Sequence, residues 1–180
     1  MVSRIWLVVF VIVGSLAGCG EETKSRAPAP QEISDNSIGH YCGMSLPEHA
    51  GPKGQVFVAD RKSPYWFSSV REVFAFVALP EEPKNVLAIY VNDMGKAKDW
   101  NQPERGTWID ARRAWYVIGS DWHGGMDVDE AIPFGDQGKA RQFAASRGGR
   151  LVRFDDMPQS YIFPGGDDDI AAAASEEGRK

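Results

Sequence analysis

The stretch SVREVFAFVALP, residues 69–80, carries the clearest fold signal in the sequence. Ser69 and Glu72 have the spacing of a capping box, in which two side chains satisfy N–H groups at the start of a helix. The apolar residues at 70, 73, 74 and 77 then recur at helical spacing until Pro80 ends the run. We predict a helix here, with one apolar face that must be buried.

Short apolar segments flank this helix on both sides. QVFVAD (55–60) and PYWF (64–67) precede it, and VLAIYV (86–91) follows it. Their β-branched and aromatic residues favour strands. Together with the helix, these segments predict a ββαβ unit over about residues 39–95.

A similar pattern follows in the second half of the chain. AIPFGD (131–136) corresponds to the segment before the first helix, so Asp136 takes the capping position of Ser69. Gly148 and Gly149 end the second helix, as glycine commonly does. The predicted strands of this half also include TWIDA (107–111), AWYVIG (114–119) and RLVRF (150–154).

These patterns predict an α+β fold of two homologous ββαβ units, residues 39–95 and 106–164. We expect each helix to cover one face of its sheet and the polar face to remain open. A unit of about 50 residues buries little surface alone, so the two units should share a central seam. Such a seam is a favoured place for a ligand.

The N-terminal residues indicate export. The apolar run at 5–13 is shorter than the roughly 20 residues of a membrane-spanning helix, and LAGC follows it at 16–19. This order is typical of a bacterial lipoprotein signal, with residues 1–18 removed and Cys19 lipidated; an ordinary secretory cleavage site is the alternative. Gly20, rather than Asp, after the cysteine favours the outer membrane over the inner one.

Two polar segments frame the predicted units. Residues 19–38 are polar and contain proline, which predicts a flexible tether between lipid and domain. Residues 165–180 predict a disordered acidic tail. The chain of 180 residues has a net charge of −5 and no basic cluster, which argues against a nucleic-acid partner.

Two glycine-containing loops carry the chemistry. HYCGM (40–44) holds the one cysteine besides Cys19, and WHGGMD (122–127) holds a methionine between polar and glycine residues. An odd cysteine in an exported protein suggests an intermolecular disulfide, a reactive thiol or a metal ligand, and an inert buried cysteine is the alternative. Thiolate and thioether sulfur together select Cu(I), whereas zinc sites need three or four Cys, His or carboxylate ligands at regular spacings.

A lipobox, CGM, a duplicated ββαβ pattern and a GGM loop followed by IPF resemble the NosL family, the copper-chaperone lipoproteins of the nitrous oxide reductase gene cluster. The resemblance spans about residues 40–157. It implies a NosL-like copper-binding domain over residues 39–164, on the periplasmic side of the cell envelope, that binds one Cu(I) and is not an enzyme. It also implies delivery of copper to the tetranuclear copper–sulfide centre of the nitrous oxide reductase apoprotein. The ABC-type assembly transporter of the same gene cluster is a further implied partner.

The resemblance also implies metal ligands. Cys42 and Met44 match the CGM motif, and Met126 matches the methionine of the glycine loop. We expect Cys42 and Met126 to bind Cu(I), with Met44 next. His123 is a further candidate that comes from its place beside the glycine loop rather than from the family, and His40 is its rival.

His49 follows Pro47 and Glu48, and we predict that it lies at the surface. The alternative function is a thiol-dependent periplasmic enzyme, suggested by Cys42 near His40 and by the organomercurial-lyase-like fold that the resemblance implies. Such an enzyme needs two cysteines at its centre, and lipidation of Cys19 leaves only one.

Overall fold

The computed structural model describes residues 27–165. The predicted signal peptide (1–18), the lipidation of Cys19 and nearly all of the predicted tail lie outside the described residues. Between 27 and 165, no helix is long and apolar enough to cross a membrane. The strands are β1 Gly54–Val58, β2 Tyr65–Phe67, β3 Val86–Asn92, β4 Trp108–Asp110, β5 Trp115–Ile118, β6 Ile132–Phe134 and β7 Arg150–Arg153. The α-helices are α1 Val70–Ala78, α2 Gln137–Arg147 and α3 Gln159–Ile162, and short 3-10 turns occupy Leu46–Glu48, Ala111–Arg113, Gly125–Asp127 and Phe154–Asp156.

The strands form two antiparallel sheets that repeat one topology. The first sheet has the order β2-β1-β3-β4 and the second the order β6-β5-β7. In each unit the first strand is central, with the second strand on one side and the strand after the helix on the other. The predicted pair of ββαβ units is therefore confirmed.

The strand predicted from TWIDA belongs to a different sheet than expected. β4 pairs with β3, with Ile109 opposite Val91, and so extends the first sheet. A buried hydrogen bond of 2.9 Å from Asn92 Nδ2 to Thr107 Oγ1 fixes the start of β4 beside the end of β3. The second ββαβ unit consequently begins with β5, and its second strand is β6.

The start of α1 has the predicted capping box. Ser69 Oγ accepts a hydrogen bond from the Arg71 N–H group at 3.1 Å, and Glu72 Oε2 accepts one from the Ser69 N–H group at 3.2 Å. The helix buries Val70, Val73, Phe74 and Phe76. It lies between the two sheets, because Phe74 contacts Tyr116 of β5 and Phe154 after β7, with ring centroids 5.0 and 4.9 Å apart.

A single core joins the two halves, as the predicted seam requires. Its buried residues include Val56, Phe67, Val73, Phe74, Ile89, Val91, Tyr116, Ile118, Val152, Phe154 and Ile162. A second, smaller core lies on the other face of the second sheet under α2, with Val117, Ile132, Phe134 and Ala140. The second sheet is thus covered on both faces, and the expectation of an open polar face is wrong for it.

The outer face of the first sheet is also crossed by chain. Gln55 of β1 is fully buried; its Oε1 accepts from the Gln31 N–H group at 2.8 Å, and its Nε2 donates to the Gln31 carbonyl at 3.0 Å. Tyr90 Oη donates to the Pro28 carbonyl at 2.6 Å. The described part of the predicted tether up to residue 38 is therefore bound to the domain.

Candidate metal site

The loop that carries Cys42 is a tight turn. The Gly39 N–H group donates to the Met44 carbonyl, and the Gly43 N–H group donates to the Gly39 carbonyl, both at 2.9 Å. Gly43 has a φ of +66°, a left-handed conformation that favours glycine. The loop lies at the edge of the first sheet, because the His40 N–H group donates to the Trp66 carbonyl of β2 at 2.7 Å.

Within this turn the cysteine sulfur points toward a histidine. Cys42 Sγ lies 3.8 Å from His49 Nε2. Cys42 is a half-buried free thiol, and a Cβ atom on Gly39 would overlap its sulfur, so glycine at 39 makes room for it. A thiol and an imidazole nitrogen at this separation can both bind one soft metal ion after a small adjustment.

His49 is buried, with 6% of its surface exposed, so the prediction of a surface histidine is wrong. The 3-10 turn Leu46–Glu48 buries Leu46 and turns the next residue inward, and the His49 N–H group donates to the Leu46 carbonyl at 3.1 Å. Gln102 Nε2 donates to the His49 carbonyl at 3.1 Å. His49 is thus held from both sides of its backbone.

The loop with Met126 lies directly against His49. The Gly125 N–H group donates to the Ala50 carbonyl at 3.1 Å. A Cβ atom on Gly125 would lie 3.2 Å from Ala50 N and O and 3.5 Å from His49 Cβ, so this close approach of two backbones favours glycine. Met126 is the middle residue of the turn Gly125–Asp127. The structure therefore places the methionine loop against the segment of His49, whose ring contacts Cys42.

The other candidate ligands are exposed or have other partners. Met44 follows Cys42 on the same turn and is 42% exposed. His123 Nδ1 is 2.9 Å from Asp127 Oδ1, and its Nε2 is 3.7 Å from Asp129 Oδ1. The structure thus places both ring nitrogens of His123 next to carboxylates.

His40, two residues before Cys42, also has another partner. Its Nε2 is 3.0 Å from Glu82 Oε1, which also accepts a hydrogen bond of 2.8 Å from Tyr41 Oη. The ring of His40 lies 4.7 Å from the ring of Tyr65 and 5.6 Å from that of Phe76, between centroids. Its role in the structure is to attach the cysteine turn to the chain after α1.

Two ionisable residues near these loops, Glu130 and Lys53, are buried. Glu130 Oε1 accepts hydrogen bonds from the N–H groups of Val70 at 3.0 Å, Arg71 at 3.2 Å and Ala131 at 2.9 Å. Burial raises the pKa of Glu130 to about 7, although these hydrogen bonds favour the charged form. Burial also lowers the pKa of Lys53 to about 8, and its Nζ donates to the Gly51 carbonyl at 2.5 Å. Sequence reasoning missed Glu130, since an acidic residue before an apolar strand resembles a surface position.

The side chains at the site suit a soft metal ion. Among residues 27–165, no three or more His, Cys, Asp or Glu side chains are grouped so that they could hold a metal ion. The Cys42–His49 pair, by contrast, lies beside two methionine-bearing turns. Thiolate, imidazole and thioether donors in low coordination number match Cu(I) better than zinc or the harder ions.

Comparisons with known proteins agree with this chemistry. A model of the NosL family matches residues 30–162. The copper-binding lipoprotein NosL of Achromobacter cycloclastes is 38% identical over 158 residues, which are 87% of this chain and 81% of that protein. The copper-binding lipoprotein NosL of Stutzerimonas stutzeri is 32% identical over 157 residues, which are 87% of this chain and 80% of that protein.

A solved structure gives the same result for the fold. The crystal structure of the copper chaperone NosL from Shewanella denitrificans matches with a TM-score of 0.69 and 34% identity, over 73% of this chain and 97% of that one. The residues matched by the family model include both glycine loops.

Proposed function

The chain belongs to the NosL family, and on that basis we propose that it is a lipid-anchored metallochaperone that carries Cu(I) on the periplasmic side of the cell envelope. It delivers copper for assembly of the tetranuclear copper–sulfide centre of nitrous oxide reductase, alone or with the ABC-type assembly transporter, and catalyses no reaction itself. The observation that carries this proposal is the distance of 3.8 Å between Cys42 Sγ and His49 Nε2, beside the turn that holds Met126.

The proposed ligands are the thiolate of Cys42, Nε2 of His49 and the thioether of Met126. His49 replaces His123 as the imidazole ligand, because both ring nitrogens of His123 face carboxylates. Met44 is exposed on the same turn as Cys42, which makes it an exchangeable ligand at the mouth of the site. An incoming acceptor can displace this sulfur first.

The ligand chemistry accounts for both the retention and the release of copper. Soft sulfur donors favour Cu(I) over harder ions, so the site selects its cargo by ligand type. Cu(I) tolerates two- and three-coordinate geometries, so an acceptor can replace one ligand at a time. The half-buried position of Cys42 leaves the thiolate within reach of such an acceptor.

The decisive experiment is anaerobic competition of purified variants against a Cu(I) chelator. We expect Cys42→Ser to lower the affinity most, because it replaces a charged soft ligand with a neutral hard one. His49→Asn and Met126→Leu should each lower it by about tenfold or more, the equivalent of about 1.4 kcal/mol. His123→Asn is the matched control, a histidine on the neighbouring loop whose loss should leave the affinity unchanged.

Two further results would settle the proposal. Circular dichroism should show that the variants remain folded. In cells from which the gene for this protein has been deleted, the parent protein should restore copper to the reductase, and Cys42→Ser should not. If Cys42→Ser and His49→Asn are folded and hold Cu(I) as tightly as the parent, the site is elsewhere. Turnover of a thiol-reactive substrate that depends on Cys42 and His49 would instead favour the periplasmic enzyme.

A further inference from the structure

The buried side chain of Glu130 connects the methionine loop to the other half of the molecule. It follows Met126 by four residues and is 2% exposed. Its Oε1 accepts from the N–H groups of Val70 and Arg71 at the start of α1. Because α1 belongs to the first ββαβ unit, this contact crosses between the two halves. The helix has its own cap in Ser69, so Glu130 is an addition to an already capped helix.

The second carboxylate oxygen of Glu130 faces the loop. A Cβ atom on Gly124 would lie 3.0 Å from Glu130 Oε2, so the loop backbone packs directly on the carboxylate. One residue further on, the Gly125 N–H group bonds to the Ala50 carbonyl, next to His49. Glu130 and Ala50 thus hold the loop from two sides immediately before Met126.

We propose that Glu130 is a positioning residue of the copper site, whose buried side chain ties the loop of Met126 to the start of α1 and so holds that residue beside the Cys42–His49 pair. This inference rests on the proposed function, in which Met126 is a ligand. Glu130 is not itself a ligand, because Oε1 is occupied by three backbone N–H groups and Oε2 lies against Gly124.

The test is a double-mutant cycle for Cu(I) affinity, measured on the folded domain by anaerobic chelator competition. Loss of a group that orients a metal ligand typically lowers metal affinity by about 10- to 100-fold, and we expect this for Glu130→Ala. In the Met126→Leu background the same substitution should change the affinity by less than about threefold, because the ligand that it positions is already absent. X-ray absorption of the Cu(I) form should show the same loss of one sulfur neighbour in Glu130→Ala as in Met126→Leu.

Two variants protect the test against simple unfolding. Glu130→Gln keeps an acceptor oxygen for the α1 N–H groups and should restore much of the affinity. Gly124→Ala changes no polar group but crowds the carboxylate against the loop, and should lower the affinity only when Met126 is present. Asp136→Ala, which removes an acidic side chain that caps α2 through the Lys139 N–H group, is the matched control and should leave the affinity unchanged.

The outcomes separate this inference from the proposed function. Equal losses from Glu130→Ala in both backgrounds, or no loss in either, would overturn the positioning role while leaving the ligands in place. No effect of Met126→Leu alone would remove Met126 from the ligand set, and the positioning role would fall with it.

Discussion

The helices α1 and α2 occupy equivalent places in the two ββαβ units but differ in what they bury. α1 buries four apolar side chains and lies between the two sheets. α2 buries only Ala140 and covers one face of the second sheet, with Phe143 half-buried beside Trp100. The topology is therefore repeated while the burial is not, and α1 is the element on which both halves depend.

The same asymmetry extends to the candidate copper site, because each of its loops is attached to one end of α1. Glu130 connects the methionine loop to the first turn of the helix. Glu82, just after the helix, accepts hydrogen bonds from His40 and Tyr41 of the cysteine turn. α2 instead contacts the residue before the methionine loop: the Arg147 carbonyl accepts from the Asp121 N–H group at 2.9 Å, and Arg147 Nε lies 2.7 Å from Asp121 Oδ1. We conclude that the first helix supports both the core and the site.

The largest expected effect comes from removing one aromatic ring from each helix. Phe74→Ala should lower the free energy of unfolding by about 3–5 kcal/mol, because the ring packs between the two sheets. Phe143→Ala should cost only roughly 1–2 kcal/mol, because that ring is half-buried on α2. Urea denaturation followed by circular dichroism measures both. Equal losses would show that the helices contribute alike and that α1 has no central role.

The next largest expected effect is the pH dependence of the free energy of unfolding, which Glu130 at the start of α1 should cause. Burial raises the pKa of Glu130 to about 7, from about 4.3 in an unfolded chain. Between these values the folded protein holds one proton more than the unfolded one, so rising pH lowers the free energy of unfolding across this window. The loss should total about 4 kcal/mol and be nearly complete by about pH 7.5.

Glu130→Gln should remove this part of the pH dependence. The difference in unfolding free energy between variant and parent should therefore shift in favour of the variant between pH 4.5 and 7.5, by an amount on the order of 3 kcal/mol. Lys53, whose pKa is lowered to about 8, acts only at higher pH and with the opposite slope. Parallel pH profiles of parent and variant would show that Glu130 is ionised in the folded protein throughout the window.

The parts of the fold that follow local sequence rules could be predicted. Ser69 and Glu72 determine the start of α1 through neighbouring backbone groups, and the apolar spacing after them defines its buried face. Strand positions followed equally from β-branched and aromatic runs. The partner of a strand depends on distant contacts, and the Asn92–Thr107 hydrogen bond that places β4 in the first sheet has no sequence pattern of its own.

The candidate site was predictable only in part, for the same reason. CGM and GGM identified two loops with soft ligands, and in the structure each of them contacts the segment that begins at His49. His49 was missed because its burial follows from the turn after Leu46, a buried residue in an otherwise polar segment. The buried amide of Gln55 in an apolar strand was the one local signal that chain must cross the outer face of the first sheet.

The smallest expected effect compares the caps of the two helices. Ser69 Oγ accepts from the Arg71 N–H group, but Glu130 Oε1 lies 3.2 Å from the same nitrogen, so Ser69→Ala leaves that group with a partner. Asp136 Oδ1 accepts from the Lys139 N–H group at 2.8 Å and is the side-chain cap of α2. Loss of a cap usually costs about 0.5–2 kcal/mol. We expect about 1 kcal/mol for Asp136→Ala and less than about 0.5 kcal/mol for Ser69→Ala.

Whether Glu130 makes the Ser69 cap less important than the Asp136 cap can be tested directly. In a Glu130→Leu background the Arg71 N–H group depends on Ser69 alone, so Ser69→Ala should then cost about 1–2 kcal/mol, more than in the parent. Thermal unfolding of the four proteins in this cycle, at one pH above 7.5, measures the coupling. A cost of Ser69→Ala that is the same in both backgrounds would mean that the two acceptors act independently. Glu130 would then contribute nothing to the cap at Arg71, and its attachment to the first helix would rest on the Val70 N–H group alone.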